Sequence, residues 1–310
     1  MLRLYTHAAC LRHQPGPGHP ESPARLEAVL RALDDARCAG LERHAAPAAT
    51  PAQLRRVHDA AHIERMLDAG AAIARDGRQV AIDADTVLGP GSLDAALHAA
   101  GAMVAAVDAV LDGACRRAFC AVRPPGHHAT PTQAMGFCLF NSVAVGAAHA
   151  LAAHGLARVA IVDFDVHHGN GSQDYAAGEP RVLYLSSHQS PLYPGTGAAG
   201  EHGVGNVLNA PLPPGSGSAA FRAVWDERLL PRLAAFRPQL ILASAGFDAH
   251  RLDPLADLDL VSDDYAWLGA RLTQLADTHS AGRLVSALEG GYSLSALADA
   301  VPAYLQPQLA

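Results

Sequence analysis

Arg158-Val159-Ala160-Ile161-Val162-Asp163-Phe164-Asp165-Val166-His167-His168-Gly169-Asn170-Gly171 is the stretch from which the fold of this chain can be worked out. Past Arg158 its first residues are apolar, mostly β-branched and uncharged, the pattern of a strand buried on both faces of a parallel sheet. Asp163 closes that run, and Asp165, His167 and His168 follow at once. If the strand ran on, Asp163, Asp165 and His167 would point to one face, because strand side chains repeat every second residue. Carboxylates and an imidazole gathered at a buried strand end need a partner for their charge. A divalent cation is the simplest one.

Working outward, apolar runs and amphipathic segments alternate. Leu2–Tyr5, Ala118–Val122, Val159–Asp163, Val182–Ser186, Leu240–Ala245 and Leu284–Leu288 read as strands. Helices are predicted over 25–39, from Thr50-Pro51, over 62–75, from a Ser92 cap to Leu111, and over 141–154, 218–235, 262–278 and 294–304. Residues 80–90 are expected to be a loop. No repeat or linker interrupts the pattern. The expected fold class is α/β: a single domain over 1–310 with a central parallel β-sheet and helices on both faces.

Composition narrows the function. Of the 310 residues 50% are hydrophobic, enough for a large core. The formal net charge of −7 argues against a nucleic-acid or anionic-membrane surface. There is no lysine, which excludes a phosphate-loop or Schiff-base lysine. The five cysteines contain no C-x-x-C pair, so neither a disulfide framework nor a thiolate zinc site is expected. No run is expected to cross a membrane, and a reducing, cytoplasmic setting follows. Most of the 17 histidines, such as His44, His98 and His149, are scattered and expected to carry no chemistry.

The strand ends carry the chemistry. Arg123-Pro124-Pro125-Gly126-His127-His128, the Asp163–Gly171 run, Ser186-Ser187-His188, Gly246-Phe247-Asp248-Ala249-His250 and Glu289-Gly290-Gly291-Tyr292 each follow a predicted strand. In an open α/β sheet ligands bind beyond the carboxyl ends of the strands, so these segments would share one crevice. Asp165, His167 and Asp248 would then be three oxygen and nitrogen ligands of Zn²⁺, with positions left open for reactants. His127 and His128 could supply a general base and acid, and Asp163 and Asn170 could orient them. Tyr292 can donate its O–H to a developing oxyanion. The constellation suits hydrolysis of an amide.

With these residues in view, the chain resembles the arginase/deacetylase superfamily, and specifically the zinc-dependent histone deacetylases and class II-type bacterial relatives. The matching stretches are His19–Arg25, Arg123–His128, Gly136-Phe137-Cys138, Asp163–Gly171, Pro194–Gly197, Gly246–Pro254 and Glu289–Tyr292, in the family's order. The resemblance implies one catalytic Zn²⁺ on Asp165, His167 and Asp248, with His128 as the main proton-transfer residue. It implies a hydrogen bond from His127 to Asp163, and Asn170 orienting His128. It further implies an acyl-lysine tunnel walled by Gly136, Phe137, Tyr193 and Leu255, with Asp85 on the rim. Arg25 is expected near an internal cavity where acetate leaves. A structural K⁺ is expected around Asp163, Asp165, His167, Ser186 and Ser187. Arginase-like enzymes carry an Asp where this chain has Gly169, so a second adjacent metal is not expected.

The substrate class is left open by the residues. An acyl-lysine protein or peptide fits the aliphatic Leu255. An acetylated polyamine would want an acidic residue at the tunnel mouth, for which Asp85, Glu201 and Asp253 are available. A non-catalytic acyl-lysine reader would have lost Tyr292, a ligand or the histidine pair, and none is missing. Fe²⁺ suits the same donor set as Zn²⁺.

Overall fold

The computed structural model describes residues 2–309 of the chain. In chain order its strands are β1 (Leu2–Thr6), β2 (Leu41–Ala45), β3 (Val80–Ala81), β4 (Val87–Leu88), β5 (Arg117–Cys120), β6 (Val159–Asp163), β7 (Val182–Gln189), β8 (Val207–Leu212), β9 (Leu240–Ala245) and β10 (Leu284–Leu288). β3 and β4 form a small antiparallel hairpin where a loop was expected. The other strands build one eight-stranded sheet, β2-β1-β5-β10-β9-β6-β7-β8. Every pairing in it is parallel.

The expected interior strands are buried at every position of β5, β6, β7, β9 and β10, which is why they carry no polar alternation. The sequence did not reveal the two edges. β2, Leu41-Glu42-Arg43-His44-Ala45, carries charges that suit an exposed edge, and only its pairing with β1 makes it a strand. β8 contains Pro211, which is tolerated where one side of the strand lacks a partner.

Helices flank the sheet. Ser92–Leu111 and Ser142–Ala153 pack on each other and against the strands, while Pro23–Ala32, Ser262–His279 and Leu294–Leu305 form a second layer. Ser92–Leu111 corrects one expectation: it has the length and hydropathy to cross a membrane, but 67% of its most apolar 18-residue window is buried inside the fold. Its N-cap is Gly91 at φ +80°, not Ser92, whose Oγ accepts the Gly89 N–H at 2.8 Å and lies 2.7 Å from His13 Nδ1. The predicted 25–39 helix ends at Ala32, just before Asp34 and Asp35, carboxylates that a helix C-terminus disfavours. The 218–235 helix contains a π-turn at Trp225–Leu229, just ahead of Pro231, which cannot complete the regular ladder.

The strand order has one consequence for the site. β9 and β10, last in sequence, insert between β5 and β6. Four adjacent parallel strands, β5-β10-β9-β6, therefore end side by side at one edge of the sheet, and each leads into one of the polar segments.

Candidate active site

β6 stops at Asp163, so Asp165 and His167 do not reach the site as members of a continuing strand. Carboxylate-capped turns bring them there instead. The Asp165 N–H donates to Asp163 Oδ1 at 3.2 Å, and the His167 N–H to Asp165 Oδ1 at 2.9 Å. Asp248, on the segment after β9, accepts the Val166 N–H at 2.9 Å. His167 Nδ1 lies 3.1 Å from Asp165 Oδ1 and 3.2 Å from Asp248 Oδ2. One donor atom from each of the three residues lies within 4.8 Å of the others, and all three residues are buried. Gly290 closes the cradle: its N–H donates to Asp165 at 2.7 Å, and a Cβ there would stand 1.9 Å from Asp248 Oδ2.

The charges in this cradle are unbalanced in a telling way. Burial and the neighbouring Asp165 push the Asp248 carboxyl up to about 7. Burial opposes a charge on His167, yet its bonds to Asp165 and Asp248 raise it to about 10. Two buried carboxylates thus draw positive charge onto the one nitrogen between them. The O, N, O donor set fits a divalent cation that would satisfy both carboxylates at once.

The segment after β5 supplies the two histidines. His127 Nδ1 lies 3.2 Å from Asp163 Oδ2, and His128 Nδ1 lies 2.9 Å from Asn170 Oδ1. Burial works against a charge on His127, but Asp165 and Asp163 raise it to about 10. Burial, then His127 and His167, push His128 well below its ordinary value. Adjacent imidazoles driven in opposite directions are suited to different tasks. Sequence reasoning assigned no role to Glu289, whose buried Oε2 accepts the Gly126 and His127 N–H groups at 2.6 and 3.1 Å.

Tyr292 enters from the turn after β10. Its ring is covered by Arg25, whose guanidinium carbon is 4.8 Å from the ring centroid. Arg25 is fully buried and donates to Glu21 Oε1 at 2.9 Å, to Glu289 O at 2.5 Å and to the Gly291 carbonyl. Glu21 in turn holds Arg123, with His13 Nε2 3.1 Å away. The expected acetate-cavity residue is thus bound on every side, and it does not line the main cavity.

A cavity of about 190 Å³ joins these parts, lined by Asp85, His128, Gly136, Phe137, His167, Leu192, Tyr193, Leu255 and Tyr292. Every tunnel residue expected from the sequence is among them, and Leu192 is an addition. Gly136 has φ +56°, and a Cβ there would stand 2.4 Å from His128 Cδ2. Phe137 also has a positive φ, 66°, and its N–H donates to Thr86 Oγ1 at 3.1 Å. Of the three possible mouth acids only Asp85 lines the cavity. Glu201 is tied to Gln173 and the Ala198 N–H, and Asp253 is buried among backbone amides.

The histone deacetylase domain family matches residues 19–307. The chain belongs to the histone deacetylase family. An uncharacterized protein of Synechocystis sp. is 41% identical over 100% of both chains. The histone deacetylase-like amidohydrolase of Pseudomonas aeruginosa is 43% identical over 89% of this chain and 73% of its own. The crystal structure of the HDA15 HD domain superposes with a TM-score of 0.93 at 34% identity, covering 99% of this chain and 88% of that one. Family membership makes the chain a deacetylase-type amidohydrolase, and the fold is the arginase/deacetylase one.

Two further polar groups in this histone deacetylase domain lie outside the cavity lining. Ser186 pairs in register with Asp163, and Ser187 Oγ accepts the Trp225 indole N–H at 3.1 Å. His149 is not isolated: its Nε2 and that of His154 lie 2.6 and 2.7 Å from Asp108 Oδ1. These three residues could in principle hold an ion. Arg56 speaks against it, because its Nη1 lies 2.5 Å from His149 Nδ1 and can only donate. Nδ1 must then accept, which leaves the proton on Nε2 facing Asp108 and denies that nitrogen to a metal.

Proposed function

We propose that this chain is a zinc-dependent deacetylase that hydrolyses the amide of N-ε-acetyl-lysine in a protein or peptide, acting as one catalytic domain. The observation that carries the reading is that His128, His167 and Tyr292 line one cavity together with Gly136, Phe137, Leu192, Tyr193 and Leu255. Asp165, His167 and Asp248 would hold the ion. When bound, it supplies Lewis acidity that polarises an amide carbonyl and makes water a nucleophile near neutral pH.

The chain's own groups do the rest. His128, kept neutral by burial and with Nδ1 engaged by Asn170, presents its other nitrogen to accept the proton of the attacking water. It then returns that proton to the leaving amine nitrogen as the C–N bond breaks. His127 lies outside the cavity lining and, paired with Asp163, contributes fixed positive charge beside the reacting centre. Tyr292 donates its O–H to the carbonyl oxygen as negative charge grows there. Gly136, Phe137, Tyr193 and Leu255 surround the lysine methylenes, each contributing about 0.8 kcal/mol when buried. Asp85 at the rim would accept substrate backbone N–H groups. A structural K⁺ would sit beside the carboxyl ends of β6 and β7, near Asp163, Asp165, His167, Ser186 and Ser187.

The test is turnover of an acetyl-lysine peptide, lost on chelation and restored by Zn²⁺. Tyr292→Phe should keep the metal and lower kcat by roughly 10²–10³, and His128→Ala should cost on the order of 10²–10⁴. Wild-type turnover in either zinc-loaded variant would remove that residue's role.

A further inference from the structure

The peptide unit that joins Gly291 to Tyr292 is gripped at both of its polar ends. Its carbonyl accepts from Arg25 Nε, and its N–H donates to Asp253 Oδ2 at 2.7 Å. The same Asp253 oxygen accepts the Ser293 N–H at 3.4 Å, and the other, Oδ1, accepts the Leu255 N–H at 3.1 Å. Asp253 is only 7% exposed, and among the described residues it forms no ion pair. The hydrogen bonds its carboxylate accepts come from the backbone amides of Tyr292, Ser293 and Leu255, which belong to two different walls of the tunnel. One wall carries Leu255; the other carries Tyr292.

We infer that Asp253 is a positioning residue, which fixes the Tyr292 phenol relative to the tunnel wall at Leu255. This rests on the role given to Tyr292 above. The geometry explains why the position needs a carboxylate. Ionised, it has two acceptor oxygens and no donor, so both can face N–H groups. An amide in its place would turn an NH₂ toward one of those N–H groups, leaving two donors opposed. It also explains why help is needed there at all. Gly290 and Gly291 precede Tyr292, and Gly291 sits at φ +118° with no side chain to lock the turn. Arg25 and Asp253, of opposite charge, clamp the plane that sets where the Tyr292 side chain departs. A misplacement of about 1 Å at a reacting group can cost on the order of 10²-fold in rate.

The test is Asp253→Asn, alone and combined with Tyr292→Phe, in zinc-loaded enzyme whose active sites are counted by titration with a tight-binding hydroxamate. The expected result is a loss of at least about tenfold in kcat per active site, with KM for the peptide within about twofold of wild type. In the Tyr292→Phe background the same substitution should cost less than about twofold, because a residue acting through the phenol has nothing left to position. Unchanged kcat per active site, or losses that multiply in the double variant, would overturn the inference and leave Asp253 a structural cap. If Asp253→Asn does not fold, Asp253→Glu, which keeps the charge but displaces both oxygens, is read by the same two criteria. A fully active Tyr292→Phe would strike the proposed function itself, a separate outcome visible in the single variant.

Discussion

His128 Nδ1 lies 2.9 Å from the side-chain oxygen of Asn170, a neutral partner, whereas His127, the residue before it, faces the Asp163 carboxylate at 3.2 Å. The difference between an amide and a carboxylate divides the work of two otherwise identical side chains. A carboxylate favours imidazolium; an amide fixes the tautomer and orientation while adding no charge. His128 therefore stays available as a base.

Asn170→Asp should undo that division. An anion at 2.9 Å from Nδ1 raises the His128 pKa, so a larger fraction is already protonated near neutrality. The acidic limb of the kcat/KM–pH profile should move to higher pH by about one unit or more, at unchanged metal content. A profile superimposable on the wild type would show that His128 is not the base.

Glu289 offers a pH test of stability. Burial raises its carboxyl from 4.5 to about 7 in the folded chain, and His127 and the Gly126 amide only partly offset that. The folded state holds this proton over a range where the unfolded state has lost it. The contribution is fully present below 4.5 and is lost as pH rises through about 7. Glu289→Gln should flatten the fall in Tm between these limits and stabilise the protein at higher pH by on the order of 3 kcal/mol. Thermal melts of both proteins at the two ends of the window decide it. A wild-type Tm that does not fall relative to the variant counts against the assignment.

How much of this was legible in the sequence depended on whether local pattern or chain crossing set the feature. The buried strands β6, β9 and β10 were legible, because burial on both faces forces an apolar run. Asp163, Asp165, His167 and Asp248 stood out because charge at the end of such a run is costly without a partner. β2 and β8 did not, since an edge strand can be charged or contain proline and owes its form to its neighbour. The adjacency of β5, β10, β9 and β6 follows from crossovers that no local window contains. For the same reason Asp253 stands in the sequence only as one of three candidate acids for the tunnel mouth, whereas the structure buries it outside the cavity lining, and its bond to Tyr292 spans 39 residues of chain.

Metal stoichiometry should be one divalent ion at the site. The position that could bring a further ligand beside Asp165 and His167 is Gly169, and it has no room: a Cβ there would stand 2.1 Å from Asp163 Oδ2 and 3.0 Å from His127 Nδ1. Elemental analysis of the purified protein should give one catalytic ion per chain, and two adjacent ions in an anomalous map would be incompatible with it. Gly169→Asp should not recruit a second ion. It should displace His127 from Asp163 and lower both folded yield and turnover.

The substrate preference can be argued from the mouth of the cavity. Leu255 is aliphatic, and its N–H is already committed to Asp253, so that wall offers a second ammonium no anion. Asp85 is the acid that lines the cavity, held beside Asp83 and Thr86: Asp83 Oδ1 accepts the Asp85 and Thr86 N–H groups at 3.1 and 2.6 Å, and Asp85 accepts the Thr86 hydroxyl at 3.1 Å. A carboxylate fixed at a rim can take two backbone N–H groups of a peptide. A free polyamine would gain there only an exposed ion pair, worth about 0–1 kcal/mol. Higher kcat/KM is therefore expected on acetyl-lysine peptides than on acetylputrescine or acetylspermidine, with Asp85→Ala losing mainly the peptide activity. Leu255→Glu, which puts a carboxylate on the wall, should move the preference toward polyamines. A wild-type enzyme about tenfold better on acetylpolyamines, a gap of about 1.4 kcal/mol, would reverse the assignment of substrate while leaving the roles of His128 and Tyr292 intact.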